Sequence, residues 1–492
     1  MTQRFKLFTA SPRAVTLALL LLALCSPKPG HAQESSLPTI GGVGGGLIAG
    51  QQEADIGRQV MTSLRRSAPR IQDPLVYDYL SNIIYRLVPS APLDNRDLQM
   101  VIIDSPALNA FAVPGGIVGV NGGLFLDAAT EQQFASVLAH ELAHLSQRHF
   151  ARRMQQQEAS TPLTVAGMIA GIILSAVTQS DVGIAAIAGT QALSIQNMLA
   201  YSRAHEQEAD SIGMEILANS GMDPRGMPEM FEIMMRENRL QGNRLPEYLS
   251  THPLTRSRVA DTRARAEQYP DERVRDGQEY HLVRSRLQVH YARSPELAVE
   301  TFESYLEQDD AVHSEAIRYG LAVAYQENRQ YDQAREILEQ LLADNPGRIT
   351  FQATLADILM DEQQYGAARE ILSQALDRNP GNYPLTYALA LLETRDGNGA
   401  KAADLWRDLT RRHPNQEQLW LRLAEAQGIA RNIVGVHRAR AEYYELMGDL
   451  ESAQRQLRQA QQILPAGSAE RQVVNERLDD ITRLRQQQQQ QR

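Results

Sequence analysis

At 492 residues the chain is too long for one hydrophobic core of ordinary size, which implies at least two domains. Its 59 acidic residues outnumber 49 basic ones, and the formal charge of −10 argues against nucleic acid as a partner. One cysteine, Cys25, leaves no disulfide framework to consider.

Residues 1–32 read as a secretory leader. Arg4, Lys6 and Arg13 are basic, Ala14 to Leu24 is almost wholly apolar, and Gly30-His31-Ala32 puts small residues where a signal peptidase cuts. Cleavage near Ala32 removes Cys25, so the mature chain has no thiol and suits an oxidising compartment. Retention of Cys25 as a lipid-bearing first residue is disfavoured by Leu24, too large for the position before such a cysteine. The leader takes four basic residues and no acidic ones, leaving 45 against 59 and a formal charge of −14.

Gly41 to Gly46 forms a flexible stretch that lacks the Lys-Ser/Thr ending of a phosphate-binding loop. Helical patterns follow over Gln51 to Arg65 and Pro74 to Leu87, then short strands over Leu98 to Ile103, Ala110 to Val113 and Ile117 to Val120. Pro114-Gly115-Gly116 turns the second strand into the third. The segment ending at Val113 is either an exposed sheet edge, to which an extended peptide can add by backbone pairing, or a buried strand.

His140-Glu141-Leu142-Ala143-His144 carries the chemistry. On a helix, residues four apart share a face, so His140 and His144 can offer ring nitrogens to one tetrahedral Zn2+. Glu141, one step round, stays off the metal and reaches a bound water. Thr130 and Gln133 fit a capping box for this helix, and Phe134, Val137, Leu138, Leu142 and Leu145 give it an apolar stripe. The plainer reading is a structural helix with two satisfied histidines. His149 is out of phase for a third ligand and reads as a solvated or helix-end residue.

Leu163 to Val177 and Val182 to Leu193 are unusually apolar, yet neither reaches the roughly 18–20 residues that span a bilayer. They read as a buried helical pair over the active site or, alternatively, as surface-seeking helices making peripheral membrane contact through 163–193. Downstream, Ser202 to Asp210 opens another helix, with Glu206 and Asp210 four apart. Glu206 can complete a His, His, Glu and water set, while Asp210 accepts the second ring N–H of a ligating histidine. Glu208 competes with Glu206 and otherwise reads as an exposed helix carboxylate; His205 reads as a supporting or surface histidine.

The C-terminal half repeats. Ala334, Ala368 and Ala402 stand 34 residues apart, as do Pro346, Pro380 and Pro414, and Tyr331 and Tyr365 keep the same step. This period marks tetratricopeptide helix pairs, whose alanines allow close crossing and whose groove suits a protein partner. Ala453 and Pro465 fall one and a half repeats beyond, implying an extra helix around Asn432 to Leu446.

HELAH at 140–144, SRAHEQEAD at 202–210 and Asn109 to Gly116 together resemble the gluzincin metallopeptidases that include the CAAX prenyl proteases and HtpX-type membrane proteases. The likeness covers nearly the whole mature chain when secreted members with a tetratricopeptide tail are considered. It implies that Glu206 binds zinc and Asp210 supports the site. It also implies that Ser250 to Arg258 is similar to a Thr-His-Pro loop beside the active site. There His252 is an auxiliary ligand that displaces the catalytic water at rest, a donor to the transition-state oxyanion, or only a loop histidine before a proline. The implied setting is the periplasm. The implied partners are unfolded or stalled outer-membrane β-barrel proteins and their assembly machinery.

The expected architecture is mainly α (α+β): a gluzincin metallopeptidase domain with a small β-sheet at 33–275, a tetratricopeptide-repeat α-solenoid at 276–470, and a polar Gln-rich disordered tail at 471–492. The expected activity is zinc-dependent endoproteolysis. One Zn2+ per chain is held by His140, His144 and Glu206, with Glu141 as general base and Asp210 in support. The other class is a chaperone or assembly scaffold whose metal site is structural or latent, although a purely structural site has no use for Glu141.

Overall fold

The computed structural model describes residues 50–156, 166–167, 169–171, 173, 202–240, 247–270, 277–308 and 314–490. The expected leader, Cys25, the Gly41 to Gly46 stretch and most of 163–193 lie outside these residues.

The N-terminal part begins with helices α1 (Gly50–Ser67) and α2 (Pro74–Leu87), at or within two residues of their predicted limits. Asp73 caps α2 by accepting from the Leu75 and Val76 amides, and Pro74 supplies a first-turn residue that needs no N–H. Strands β1 (Gln99–Ile103), β2 (Ala110–Val113) and β3 (Ile117–Asn121) form one sheet in the order β1-β3-β2, with β1 parallel and β2 antiparallel to β3. Among the described residues β2 is therefore an outer strand, with Phe111 and Ala112 half-buried. Gly115 and Gly116 turn the chain at φ +89° and +80°, a region costly for a side chain. Any Cβ on Gly115 would also lie 2.8 Å from the Glu53 carbonyl oxygen, so α1 fixes the turn.

Helices α3 (Gly122–Asp127), α4 (Glu131–Ser146) and α5 (His149–Gln156) follow, then α6 (Arg203–Asn219), α7 (Gly226–Leu240), α8 (Glu247–Thr251) and α9 (Arg256–Ala266). Buried from Glu131 through His144, α4 is the central core helix. Thr130 Oγ1 accepts the Gln133 amide at 3.3 Å, and Gln133 Oε1 accepts the Ala129 amide at 2.8 Å, a capping box displaced by one residue. Its Phe134 packs against Phe125, Tyr79 and Tyr280, the Phe125 and Phe134 centroids 4.2 Å apart. Gly213 lets α6 cross α4 closely, since a Cβ there would sit 3.2 Å from the His140 backbone nitrogen.

Helical pairs follow: α10 (Gln278–His290) and α11 (Pro295–Glu307), α12 (Ser314–Glu327) and α13 (Tyr331–Asp344), α14 (Ile349–Asp361) and α15 (Tyr365–Arg378), α16 (Tyr383–Arg395) and α17 (Gly399–Arg412). Then come α18 (Glu417–Ile429), α19 (Ile433–Leu446), α20 (Leu450–Ile463) and α21 (Ala469–Gln490). Ala334, Ala368, Ala402 and Ala453 are fully buried, as small residues at helix crossings should be, and α19 is the half-repeat that the spacing required. Helix α10 serves both parts, because Tyr280 lies in the peptidase-side core while Leu282 lies in the repeat core.

One expectation is corrected and another is met among the described residues. The Gln-rich tail is a helix through Gln490: Val474 and Ile481 are buried against Leu457, Ala460 and Leu464, and Leu478 packs between them. This stripe at helical spacing gives α21 an apolar face despite its polar composition. Of the 163–193 stretch, Ala166, Ile169, Ala170 and Ile173 are helical and buried, Ala166, Ile169 and Ile173 clustering with Ile56, Val60 and Val113; the rest lies outside the described residues. No described helix is long and apolar enough to cross a membrane.

Candidate metal centre

Where α4 crosses α6, with α8 closing over both, His140, His144, Glu206 and His252 each turn one ligand atom inward. These four atoms lie within 4.8 Å of one another, and all four residues are buried. His140 Nε2 and His144 Nε2 are 3.0 Å apart. Glu206 Oε1 is 3.4 Å from His144 Nε2 and 3.2 Å from His252 Nδ1, while Glu206 Oε2 is 3.6 Å from His140 Nε2. Ligands about 2.0–2.1 Å from a tetrahedral zinc stand roughly 3.3 Å from each other, so these separations suit such an ion.

Charge points the same way. Counted as ionised, the buried carboxylates Glu141, Glu206 and Asp210 face one buried guanidinium, Arg258, and a divalent cation offsets the difference. Burial opposes charge on His140, yet Asp210 and Glu206 overcome it and raise that imidazole to about 9. Burial drives His144 far down. Burial also opposes the Glu206 carboxylate, but His252, His140 and His144 hold it well below the usual range. The cluster calls for positive charge, and two ring nitrogens facing each other at 3.0 Å suit a shared cation.

Glu141 stays off the four-atom cluster, with Oε1 buried, without a hydrogen bond, and 3.4 Å from His252 Nε2. Beside it lies a small apolar cavity lined by β2, Phe150, Ile169, Ile173 and His252. A peptide laid along β2 would therefore pass Glu141. His252 begins the loop after α8 and stacks on Tyr248 at 4.5 Å. The plain loop-histidine reading does not describe this buried position; His252 occupies the fourth corner of the cluster.

Asp210 meets His140 Nδ1 at 3.1 Å, as a supporting carboxylate should. Its own oxygens each accept one hydrogen bond from Arg258, both at 2.7 Å. Arg258 had no assigned role in the sequence, although it ends the Thr-His-Pro segment. The guanidinium also lies 2.5 Å from Glu206 Oε2, donates to the Pro253 carbonyl at 2.9 Å and sits over Phe231.

Of the two readings of His149, solvated or helix-end, the structure keeps the second: it opens α5 but is fully buried, with Nδ1 2.9 Å from His144 Nδ1. Glu208 stands outside the four-atom cluster and is half-buried on α6 rather than exposed, meeting His149 Nε2 at 3.0 Å and Arg152 at 3.2 Å. His205 stacks on His149 with centroids 4.5 Å apart, the supporting place expected of it. The partners of Glu208 lie 56 and 59 residues away and left no local pattern to read.

Helical crossing, paired histidines, an inward-turned carboxylate and a glutamate off the cluster beside the outer strand β2 fit a metallopeptidase, here joined to a repeat array. Residues 74–266 match peptidase family M48, and residues 291–358 and 359–426 match the tetratricopeptide repeat. An Escherichia coli K12 relative, the β-barrel assembly-enhancing protease, is 32% identical over 96% of both chains. A Vibrio cholerae relative that carries this name provisionally is 37% identical over 96% of this chain and 97% of its own. The Arabidopsis thaliana mitochondrial metalloendopeptidase OMA1 is 28% identical over 44% of this chain and 42% of its own. This chain belongs to the β-barrel assembly-enhancing protease family.

Proposed function

We propose that the metal is zinc, held by His140, His144 and Glu206, and that the chain cleaves outer-membrane β-barrel proteins stalled during assembly in the periplasm. The convergence of these three donors beside Glu141 carries the catalytic reading. The relatives' named role in β-barrel assembly supports the client class, and the leader and thiol-free mature sequence support the compartment. The repeat array supports a protein partner, whether client or assembly machinery.

Zinc held by His140, His144 and Glu206 would polarise the scissile carbonyl and bring the pKa of a water toward about 7. The remaining steps belong to the chain. An extended client pairs with β2 by backbone hydrogen bonds, which reads conformation more than sequence and suits unfolded proteins. Glu141 accepts a proton from the attacking water and returns it to the leaving amine. Asp210 fixes the His140 ring through Nδ1, keeping Nε2 turned inward.

His252 favours a second activity beside the first. A fourth protein donor leaves no open corner, as in closed structural sites, so the resting chain is latent and can act as an assembly scaffold. Glu141→Gln tests both readings. Zinc content should stay normal while cleavage of an unfolded barrel protein falls at least about a hundredfold, within the usual range for a general base. Equal cleavage by variant and wild type would end the catalytic assignment, and assembly supported without cleavage would establish the scaffold role.

A further inference from the structure

The environment of His144 extends beyond the four-atom cluster. His144 directs Nε2 inward and Nδ1 outward to His149 Nδ1 at 2.9 Å. His149 in turn directs Nε2 to Glu208 Oε2 at 3.0 Å, and Arg152 donates to the same oxygen at 3.2 Å. Only one arrangement of protons satisfies this line with neutral rings. A carboxylate only accepts, so His149 carries its proton on Nε2 and presents a bare Nδ1; His144 must then carry its proton on Nδ1. The Nε2 lone pair of His144 is left for the metal.

We propose that His149, held by Glu208 and Arg152, is a positioning residue that fixes the metal-binding tautomer and ring orientation of His144. The two histidines of α4 then have parallel supports: Asp210 clamped by Arg258 behind His140, and His149 with Glu208 beside Arg152 behind His144. The backbone is bent to the purpose. Arg148, between α4 and α5, has φ +49°, a left-handed conformation that a non-glycine residue rarely adopts. That bend returns His149 to the face of α4 bearing His144, where His205 stacks on its ring.

This inference rests on the zinc reading, and the test separates the two. In the full-length mature protein, Zn2+ affinity is measured by competition with a chelator for wild type, His149→Phe, Glu208→Ala, Glu208→Gln and His144→Ala. Loss of an outer support typically weakens metal binding about 10- to 100-fold, and His149→Phe and Glu208→Ala should both fall in that range. Their double variant should be no weaker than the worse single one, because both break the same line. Glu208→Gln keeps an acceptor oxygen and should recover most of the affinity, which simple packing would not explain. Should His149→Phe fail to fold, the two Glu208 variants decide alone, since that side chain is 36% exposed. Wild-type affinity in His149→Phe or Glu208→Ala, with His144→Ala losing zinc, overturns the positioning role and spares the metal centre. Zinc retained by His144→Ala overturns both.

Discussion

Asp210 accepts both forks of Arg258 at 2.7 Å while standing 3.1 Å from His140 Nδ1. The same guanidinium reaches Glu206, so one arginine braces an inward-turned carboxylate and the support of an inward-turned imidazole. Lysine would keep the charge and lose the planar two-point grip. Arg258→Lys is therefore expected to weaken zinc binding about tenfold, read by chelator competition. Unchanged affinity would mean that Asp210 orients His140 without the arginine.

His252 carries a prediction of opposite sign. Its Nδ1 lies 3.2 Å from Glu206 Oε1 and its Nε2 3.4 Å from Glu141 Oε1, so it crowds both the metal's fourth corner and the general base. His252→Ala should open that corner and raise basal cleavage of an unfolded substrate several-fold, with zinc still bound. A fall in cleavage would instead make His252 a donor in the transition state. Assays of casein-like unfolded substrate and zinc content on one preparation distinguish the outcomes.

The legible parts of this molecule were those written locally. His140 and His144 share one helix face through a four-residue spacing, Glu206 and Asp210 do the same on α6, and the 34-residue alanine period marks the solenoid. Arg258 and Glu208 act through partners 48 to 59 residues away, so no spacing announced them, and His149 meets His144, five residues before it, only through the bend at Arg148. The tail was obscured for a different reason: the glutamine run hid the three-residue stripe of Val474, Leu478 and Ile481. In β2, sequence left edge and interior equally open, because four residues cannot reveal strand order.

Glu393 predicts a pH dependence within the repeats. Its carboxylate accepts from Arg369 at 2.9 and 3.1 Å, from Asn398 at 2.7 Å and from Lys401 at 2.6 Å. Burial raises its pKa, but these donors outweigh burial and bring it to about 2. A depressed carboxylate stabilises the fold above its unfolded pKa of about 4.3, and that contribution disappears as pH falls toward 2. Lys401 is half exposed, so solvent screens the cluster and Glu393→Gln should cost about 1–2 kcal/mol at pH 7. The difference between variant and wild type should narrow in denaturant titrations repeated from pH 5 downward. A constant difference would show that the carboxylate charge contributes nothing.

Glu417, the first residue of α18, joins the repeats to the peptidase. It meets Arg70 at 2.7 Å and Arg65 at 3.3 Å, all three side chains largely buried. Glu417→Ala leaves two guanidinium groups without their carboxylate, and breaking such a buried cluster costs about 3–5 kcal/mol when nothing replaces it. Here Arg65 still donates to the Asn415 and Leu446 carbonyls, and Arg70 to the Arg65 carbonyl, so about 2–3 kcal/mol is the expected loss. Amide exchange should rise in α1 and α18 together, because both ends of the clamp are released. Replacing Glu417, Arg65 and Arg70 by methionine in one variant removes the buried charges along with their attraction, and should recover much of that stability. If the triple variant is as unstable as Glu417→Ala, the contact is held by hydrogen bonds to the repeat backbone rather than by the ion pairs.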